Sequence, residues 1–373
     1  MIGSGGEVRV VVGRRGRFFC EQAAIACGSQ KHHNSTSMIQ PASQPSSATD
    51  VDRAFVADPQ AVPAARKLPP KVNNRVGWYA RAKFGLVRWF LWAWVRTFSL
   101  RGLYLFGRFF GTLEYLINFK RRARYRRELR SIFPEGIQRS REKSIILSYF
   151  RRTRCDKLYY LIFDRLPREK IMRRIRFHGR EYLDQALARG RGVYVMLSHN
   201  GSHHVAGLLM ALLGYKCAGI RDRSEGDIRR YVQELYAKTF PEFAAIRLLY
   251  ADSFPRDIYR CFRENRVLGS ALDIGRVRGL ALKTCPVRIF GETREFLTGT
   301  LQVALRCRTP ILQGFVVSRP NFYVRLIVRP PLHVPDEDDT TGDDPQTVAE
   351  LMQRYADGIE AHVRGHPDHL SRG

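Results

Sequence analysis

Between residues 176 and 328, short apolar runs alternate with stretches of helical spacing, and nothing else in this chain restricts its fold as much. Runs at 193–197, 216–220, 246–250, 267–273, 287–290, 310–317 and 323–328 read as strands; the first is β-branched and bounded by Gly192 and Ser198. A strand end and turn are expected at 176–179. Helical patterns occupy 181–188, 227–239, 254–264 and 298–307, with a terminal helix at 347–363. Strands alternating with helices predict an α/β domain whose mainly parallel sheet is flanked by helices. No internal repeat is present.

Upstream, the chain divides into pieces of different character. Residues 1–76 lack periodicity, and 40–62 are rich in Ser, Pro, Ala and Asp, so a disordered extension is expected there. The start carries arginines but no continuous apolar stretch of the signal-peptide kind. Residues 77–130 form an aromatic and basic helical segment. All 4 tryptophans (Trp78, Trp89, Trp92 and Trp94) fall here, among Phe84, Phe90, Phe98, Phe106, Phe109 and Phe110. Arg88, Arg96, Arg101 and Arg108 interrupt the run, which argues against a spanning helix. Aromatic and cationic residues together suit an amphipathic helix lying in a membrane interface; a helix buried against its own domain is the alternative. The cluster from Lys120 to Arg127 would hold anionic head groups, form a solvated face, or meet nucleic acid. Residues 131–373 then carry the α/β domain, opening with helical spacing over 139–189.

Charge narrows the partners. The chain has 63 Lys+Arg against 35 Asp+Glu, a net charge of +28, which favours anionic surfaces, acidic proteins or phosphorylated substrates. A nucleic acid is not the expected partner: no helix-turn-helix, zinc finger or RNA-binding signature accompanies the charge. The 7 cysteines are scattered with no C-x-x-C pair, which fits neither a disulfide framework nor a cysteine zinc site.

Chemistry concentrates where the 193–197 strand hands over to a helix. There the sequence reads Ser198-His199-Asn200-Gly201-Ser202-His203-His204. The carboxyl end of a strand is where open α/β sheets bind ligands. His199 can be a general base beside a helix start, with an oxyanion held by backbone amides near Gly201. His199 and His203 can instead chelate a metal, although no glutamate stands between them. Ser198 or Ser202 as a nucleophile lacks the Gly-x-Ser-x-Gly elbow. A structural role for all three histidines is the fourth reading.

The order of landmarks over roughly residues 103–367 resembles the late acyltransferases of lipid A biosynthesis, the lauroyl and myristoyl transferases, within the wider lysophospholipid acyltransferase-like group. The landmarks are Leu105-Phe-Gly-Arg-Phe-Phe-Gly111 with a basic run after it, Ile132-Phe-Pro-Glu135, Gly192 to His199 and Ile220-Arg221. Further on come Gly269 to Ile274, Phe290-Gly291, Thr298 to Leu305 with Thr309-Pro310, and His366-Pro367. The resemblance implies a fatty acyl group moved from acyl carrier protein or coenzyme A to a hydroxyl or amine of a lipid or glycolipid. It implies no cofactor beyond that donor, membrane lipids and acyl carrier protein as partners, and a peripheral or monotopic place on the cytoplasmic face of the inner membrane. It makes His199 the catalytic base, with an acid expected five residues on. That position holds His204, which cannot supply a fixed negative charge. A substitute carboxylate is then required from Asp222, Glu225 or Asp273. Asp273 is favoured because it also ends an apolar strand. Arg221 resembles the family's phosphate- or thioester-facing arginine, and Gly291 its small residue lining the substrate groove; a surface arginine and a turn glycine are the plain alternatives. A degenerate lipid-binding relative is the rival that His204 raises, and a basic nucleic-acid-binding protein is a more distant one.

Overall fold

β2 (Val193–Leu197) lies at the middle of the sheet and shows how the fold is sorted. Its side chains alternate across the sheet, as the two-residue period of a strand requires. Tyr194 and Met196 enter one apolar core with α9 (Pro255–Arg263), α10 (Gly299–Arg306) and α11 (Pro345–Gly365). Val193 and Val195 enter a second core with α3 (Arg139–Ile162), α5 (Arg180–Ala188), α6 (Ala206–Leu212) and α7 (Asp227–Thr239). Both faces of the strand are therefore covered, which is why it is apolar throughout.

The remaining strands are β1 (Ile175–His178), β3 (Cys217–Arg221), β4 (Arg247–Tyr250), β5 (Val267–Ala271), β8 (Ile311–Arg319) and β9 (Tyr323–Val328). The order is β1-β9-β8-β2-β5-β3-β4. Strands β8, β2, β5, β3 and β4 run parallel, while the β9–β1 pair runs antiparallel to β8. The expected α/β architecture with a mainly parallel sheet is thus present. A computed structural model describes residues 77–221, 227–250, 255–275, 282–336, 342 and 344–370. The extension expected to be disordered, 1–76, lies outside the described residues, as do Asp222 and Glu225.

One element is longer than the sequence suggests. The expected strand at 287–290 is the end of β6 (Thr284–Ile289), which pairs with β7 (Glu292–Leu297) as a separate antiparallel hairpin. β7 lies outside the main sheet and begins with four polar or charged residues, Glu292 to Glu295, before Phe296 and Leu297, so no continuous apolar run marks it.

The aromatic segment forms α1 (Trp78–Ile117), bent at Ser99, followed by α2 (Phe119–Ile132). α1 packs against α3 through Gly107 and Gly111; a Cβ at Gly111 would lie 2.4 Å from the Arg151 Cα. Glycine at this spacing lets two helix backbones approach closely. Arg88 does not break the outer surface of α1. It turns inward, 2 % exposed, and forms a two-pronged pair with Asp164 at 2.7 and 2.9 Å. Trp78, Trp89, Phe98, Phe109 and Ile117 point outward, each more than half exposed. Among the described residues no helix is long and apolar enough to cross a membrane.

Candidate active site

Parallel pairing of β2 with β5 places the site. Leu197 is opposite Ala271, an offset of 271 − 197 = 74 residues. Carried two residues past both strand ends, the same offset brings His199 opposite Asp273. There the His199 Nδ1 lies 2.7 Å from the Asp273 Oδ1. The backbone N–H of His199 donates to both carboxylate oxygens, at 3.1 and 2.9 Å. Three contacts to one carboxylate fix both the ring and the loop that carries it. With Nδ1–H donating to Asp273, the Nε2 lone pair is left to accept a proton.

Tyr355 on α11 reinforces the alignment. Its hydroxyl donates to the carbonyl of Leu197 and accepts from the N–H of Leu272, so one side chain ties together the two strand ends that lead to the pair. The His199 side chain is 26 % exposed and that of Asp273 9 %. Burial opposes the charged imidazolium most strongly, but the hydrogen bond and negative charge of Asp273 outweigh it, and the His199 pKa is raised. Arg229 on α7 acts in the opposite direction.

The other histidines take different places. His203 stands edge-on to His199 with ring centroids 5.0 Å apart, and burial lowers its pKa well below the ordinary histidine value. His204 faces Tyr160 edge-on, at 5.1 Å. It keeps access to water by surface area, yet protein crowds its ring; the crowding lowers its pKa to about 4, so it stands neutral at pH 7. His204 was a candidate partner of the base; the structure puts it on the far side of His203 and puts Asp273 against His199. The reason is local: residues 203–205 form a short 3-10 turn that swings His204 away. Among the described residues no group of His, Cys, Asp and Glu could hold a metal ion.

Gly201 requires correction as an oxyanion donor. Its N–H donates to the carbonyl of His369 at 2.7 Å, and the next amide, of Ser202, donates to Val316 at 3.1 Å. Its φ of +69° and a Cβ position 2.2 Å from the Val316 oxygen admit only glycine, so its role is to let the loop cross the sheet edge. The C-terminal segment holding it is itself anchored. His369 accepts from the Ser318 N–H through Nε2 and meets Asp368 through Nδ1, while Ser148 donates to Asp368. Ser202 in turn bonds Asp156 and Ser318. Gly291, with φ +76°, sits with Phe290 in the two-residue turn between β6 and β7 and is a turn glycine. Arg221 closes β3 opposite Tyr250, and its side chain lies outside the description.

His199 is on the wall of two cavities. One, of about 380 Å³, runs over the sheet toward α6 and α7 and is lined mainly by apolar residues. Gly219, Gly269 and Gly314 on β3, β5 and β8 contribute no side chains to it, and Gly219 and Gly269 stand directly opposite each other. Arg229 is on its wall, a cation beside the histidines. The other, about 320 Å³, opens between α2 and the β6–β7 hairpin and includes Glu128, Asn200, Asp273 and Phe290. Sequence reasoning missed Glu128 because it sits inside a run of arginines. A base with one apolar chamber and one of mixed polar and apolar lining beside it can join a hydrocarbon-bearing electrophile to a polar nucleophile.

Comparison with protein families gives one match: the family described as bacterial lipid A biosynthesis acyltransferase, over residues 78–369. No curated protein matches the chain.

Proposed function

This chain belongs to the bacterial lipid A biosynthesis acyltransferase family and is an acyltransferase; on that premise we propose that it carries a fatty acyl group from acyl carrier protein or coenzyme A to a hydroxyl or amine of a lipid A-like glycolipid. The reading rests on one observation above the others, the 2.7 Å contact between His199 Nδ1 and Asp273.

His199 Nε2 removes the proton from the acceptor as its oxygen or nitrogen attacks the thioester carbonyl. Asp273 holds the ring in the Nδ1–H tautomer and stabilises the imidazolium formed. When the tetrahedral intermediate collapses, the C–S bond breaks and Nε2–H returns the proton to the departing thiolate. The apolar cavity takes the acyl chain, and Arg229 supplies positive charge beside the developing oxyanion. The chemistry calls for no cofactor besides the donor thioester.

The setting we propose is the cytoplasmic face of the inner membrane, with the protein peripheral or monotopic. Supporting it are the exposed aromatic residues of α1 and the basic α2, where Lys120, Arg124, Arg127 and Arg130 are exposed. A net charge of +28 also suits an acidic carrier protein and anionic lipid. The test is His199→Ala in full-length protein, assayed in membranes with a labelled acyl thioester. Transfer should fall by roughly two to four orders of magnitude, the usual contribution of a positioned base. Unchanged transfer with unchanged protein level would remove His199 from the mechanism.

A further inference from the structure

The outer strands β9 and β1 bury one face and leave much of the other open. Val324, Leu326 and Val328 enter the second core, and Leu326 and Val328 also line the apolar cavity. On the other face Tyr323, Arg176 and His178 are exposed and Arg325 is half-buried. The register sets these side chains in rows. Arg176 stands opposite Arg325, and Arg319, exposed at the end of β8, stands opposite Tyr323. The guanidiniums of Arg174 and Arg176 lie 5.6 and 6.0 Å from the centre of the Tyr323 ring.

What sets this face apart is its lack of acid. Elsewhere arginines meet carboxylates: Arg88 with Asp164, Arg121 and Arg154 with Glu114, Arg126 with Glu142. Among the described residues no carboxylate pairs with Arg174, Arg176, Arg319 or Arg325; Arg174 and Arg176 donate to backbone carbonyls. The field is felt at His366, where burial, His369, Arg319 and Arg325 together lower the pKa. Asp368 opposes them there, but it is engaged by His369 and Ser148. Like charges directly opposite on neighbouring strands are destabilising, and an anionic partner relieves that cost. The face also lies beside the site. Arg325 is opposite Val317, next to Val316, whose carbonyl holds the loop of His199 through the Ser202 N–H. β9 and β1 are two and three strand spacings from β2, roughly 10 and 14 Å.

We propose that this arginine face docks an acidic helix of the carrier protein that delivers the acyl thioester. The assignment rests on the acyl-transfer reading above and names the surface at which the donor is held. Arginine positions about 5 Å apart across strands and about 7 Å apart along them suit carboxylates one helical turn apart, about 5–6 Å. Fixed charges on a sheet match a structured protein, whereas fluid lipid head groups need no register. The large apolar side chains that would enter a bilayer are concentrated on α1 instead. From a carrier docked here, the acyl chain enters a cavity that β9 itself lines.

Steady-state transfer by the full-length enzyme in membranes, with the same acyl group on acyl carrier protein and on coenzyme A, tests the assignment. Arg176→Glu combined with Arg319→Glu should raise KM for the carrier-protein donor by about tenfold at low salt, with kcat nearly unchanged, and the difference should shrink as salt rises. Both side chains are exposed, so thermal unfolding of the variant should match the wild type. Changing the acidic residues of each carrier-protein helix in turn to lysine should recover part of the loss for one helix, a result that misfolding cannot give. An unchanged KM, an equal rise for both donors, no recovery from the charge swap, or lost flotation with anionic vesicles in place of a KM change each overturns the docking surface and leaves acyl transfer standing. Absence of transfer from both donors in the wild type overturns acyl transfer itself, and the docking surface with it.

Discussion

With His199 as the proposed base, its protonation state sets the acid limit of activity. A base must be neutral to accept a proton, so rate falls as pH drops through the raised pKa of the Asp273-paired imidazole. The acid limb of kcat should therefore lie above the ordinary histidine value of about 6.5. Asp273→Asn should lower that limb and cut kcat by on the order of a hundredfold or more, because the ring loses its tautomer lock; a pH–rate profile of both proteins checks this. The same pairing contributes stability below pH 6.5 that is lost as pH rises through the raised value. His204→Gln should cost far less than Asp273→Asn, since His204 packs on Tyr160 rather than on His199; comparable losses in the two variants would restore His204 to the mechanism. Asp273 is legible in the sequence in two steps: the family resemblance leaves an acid missing at His204, and the strand ends favour Asp273 as the substitute. Glu128 is not, because it sits among the arginines of α2 and nothing in the local pattern says which face of that helix meets a cleft whose other walls come from residues 199 to 370.

Among the elements, β3 and β5 shape the apolar cavity, proposed to take the acyl chain, by what they omit. A Cβ at Gly219 would have its nearest neighbour, the Gly269 oxygen, at 3.9 Å, an ordinary contact. Gly219→Leu should therefore fold and fill the cavity, shifting donor preference toward shorter acyl chains in a competition assay; an unchanged profile would place the chain elsewhere. The parallel strands can be read because they are apolar on both faces. The direction of β9 cannot, since antiparallel pairing with β8 follows from a tight turn at Pro320–Phe322 in which Asn321 and Phe322 both have positive φ. α1 is held by the Arg88–Asp164 pair, whose side chains are 2 % and 5 % exposed. Removing one member leaves an uncompensated buried charge, so Arg88→Leu should destabilise by about 3–5 kcal/mol in thermal or denaturant unfolding. In the sequence Arg88 looks like an interruption of an apolar surface, and only the fold shows that it faces inward.

On the proposed membrane setting, the whole molecule would meet lipid through two features of different range. Exposed aromatic residues on α1 act at contact distance, whereas the excess positive charge acts over a Debye length of about 8 Å at physiological salt. Binding to anionic vesicles should weaken as salt rises and persist in part at high salt; Trp89→Ser together with Phe109→Ser should remove the persistent part. Flotation of vesicles across a salt series separates the two contributions, and equal binding to neutral and anionic vesicles would argue against the charge. Assembly has an order in time as well. Gly201 is held by the carbonyl of His369, 369 − 201 = 168 residues further along the chain. A nascent chain that has already exposed all seven strands of the main sheet still lacks α11, whose Tyr355 ties the two strand ends, and the segment that holds the loop of His199. The enzyme should therefore be inert on the ribosome, and its first turnover should await emergence of the C-terminal helix and the segment after it, which take no part in the proposed chemistry.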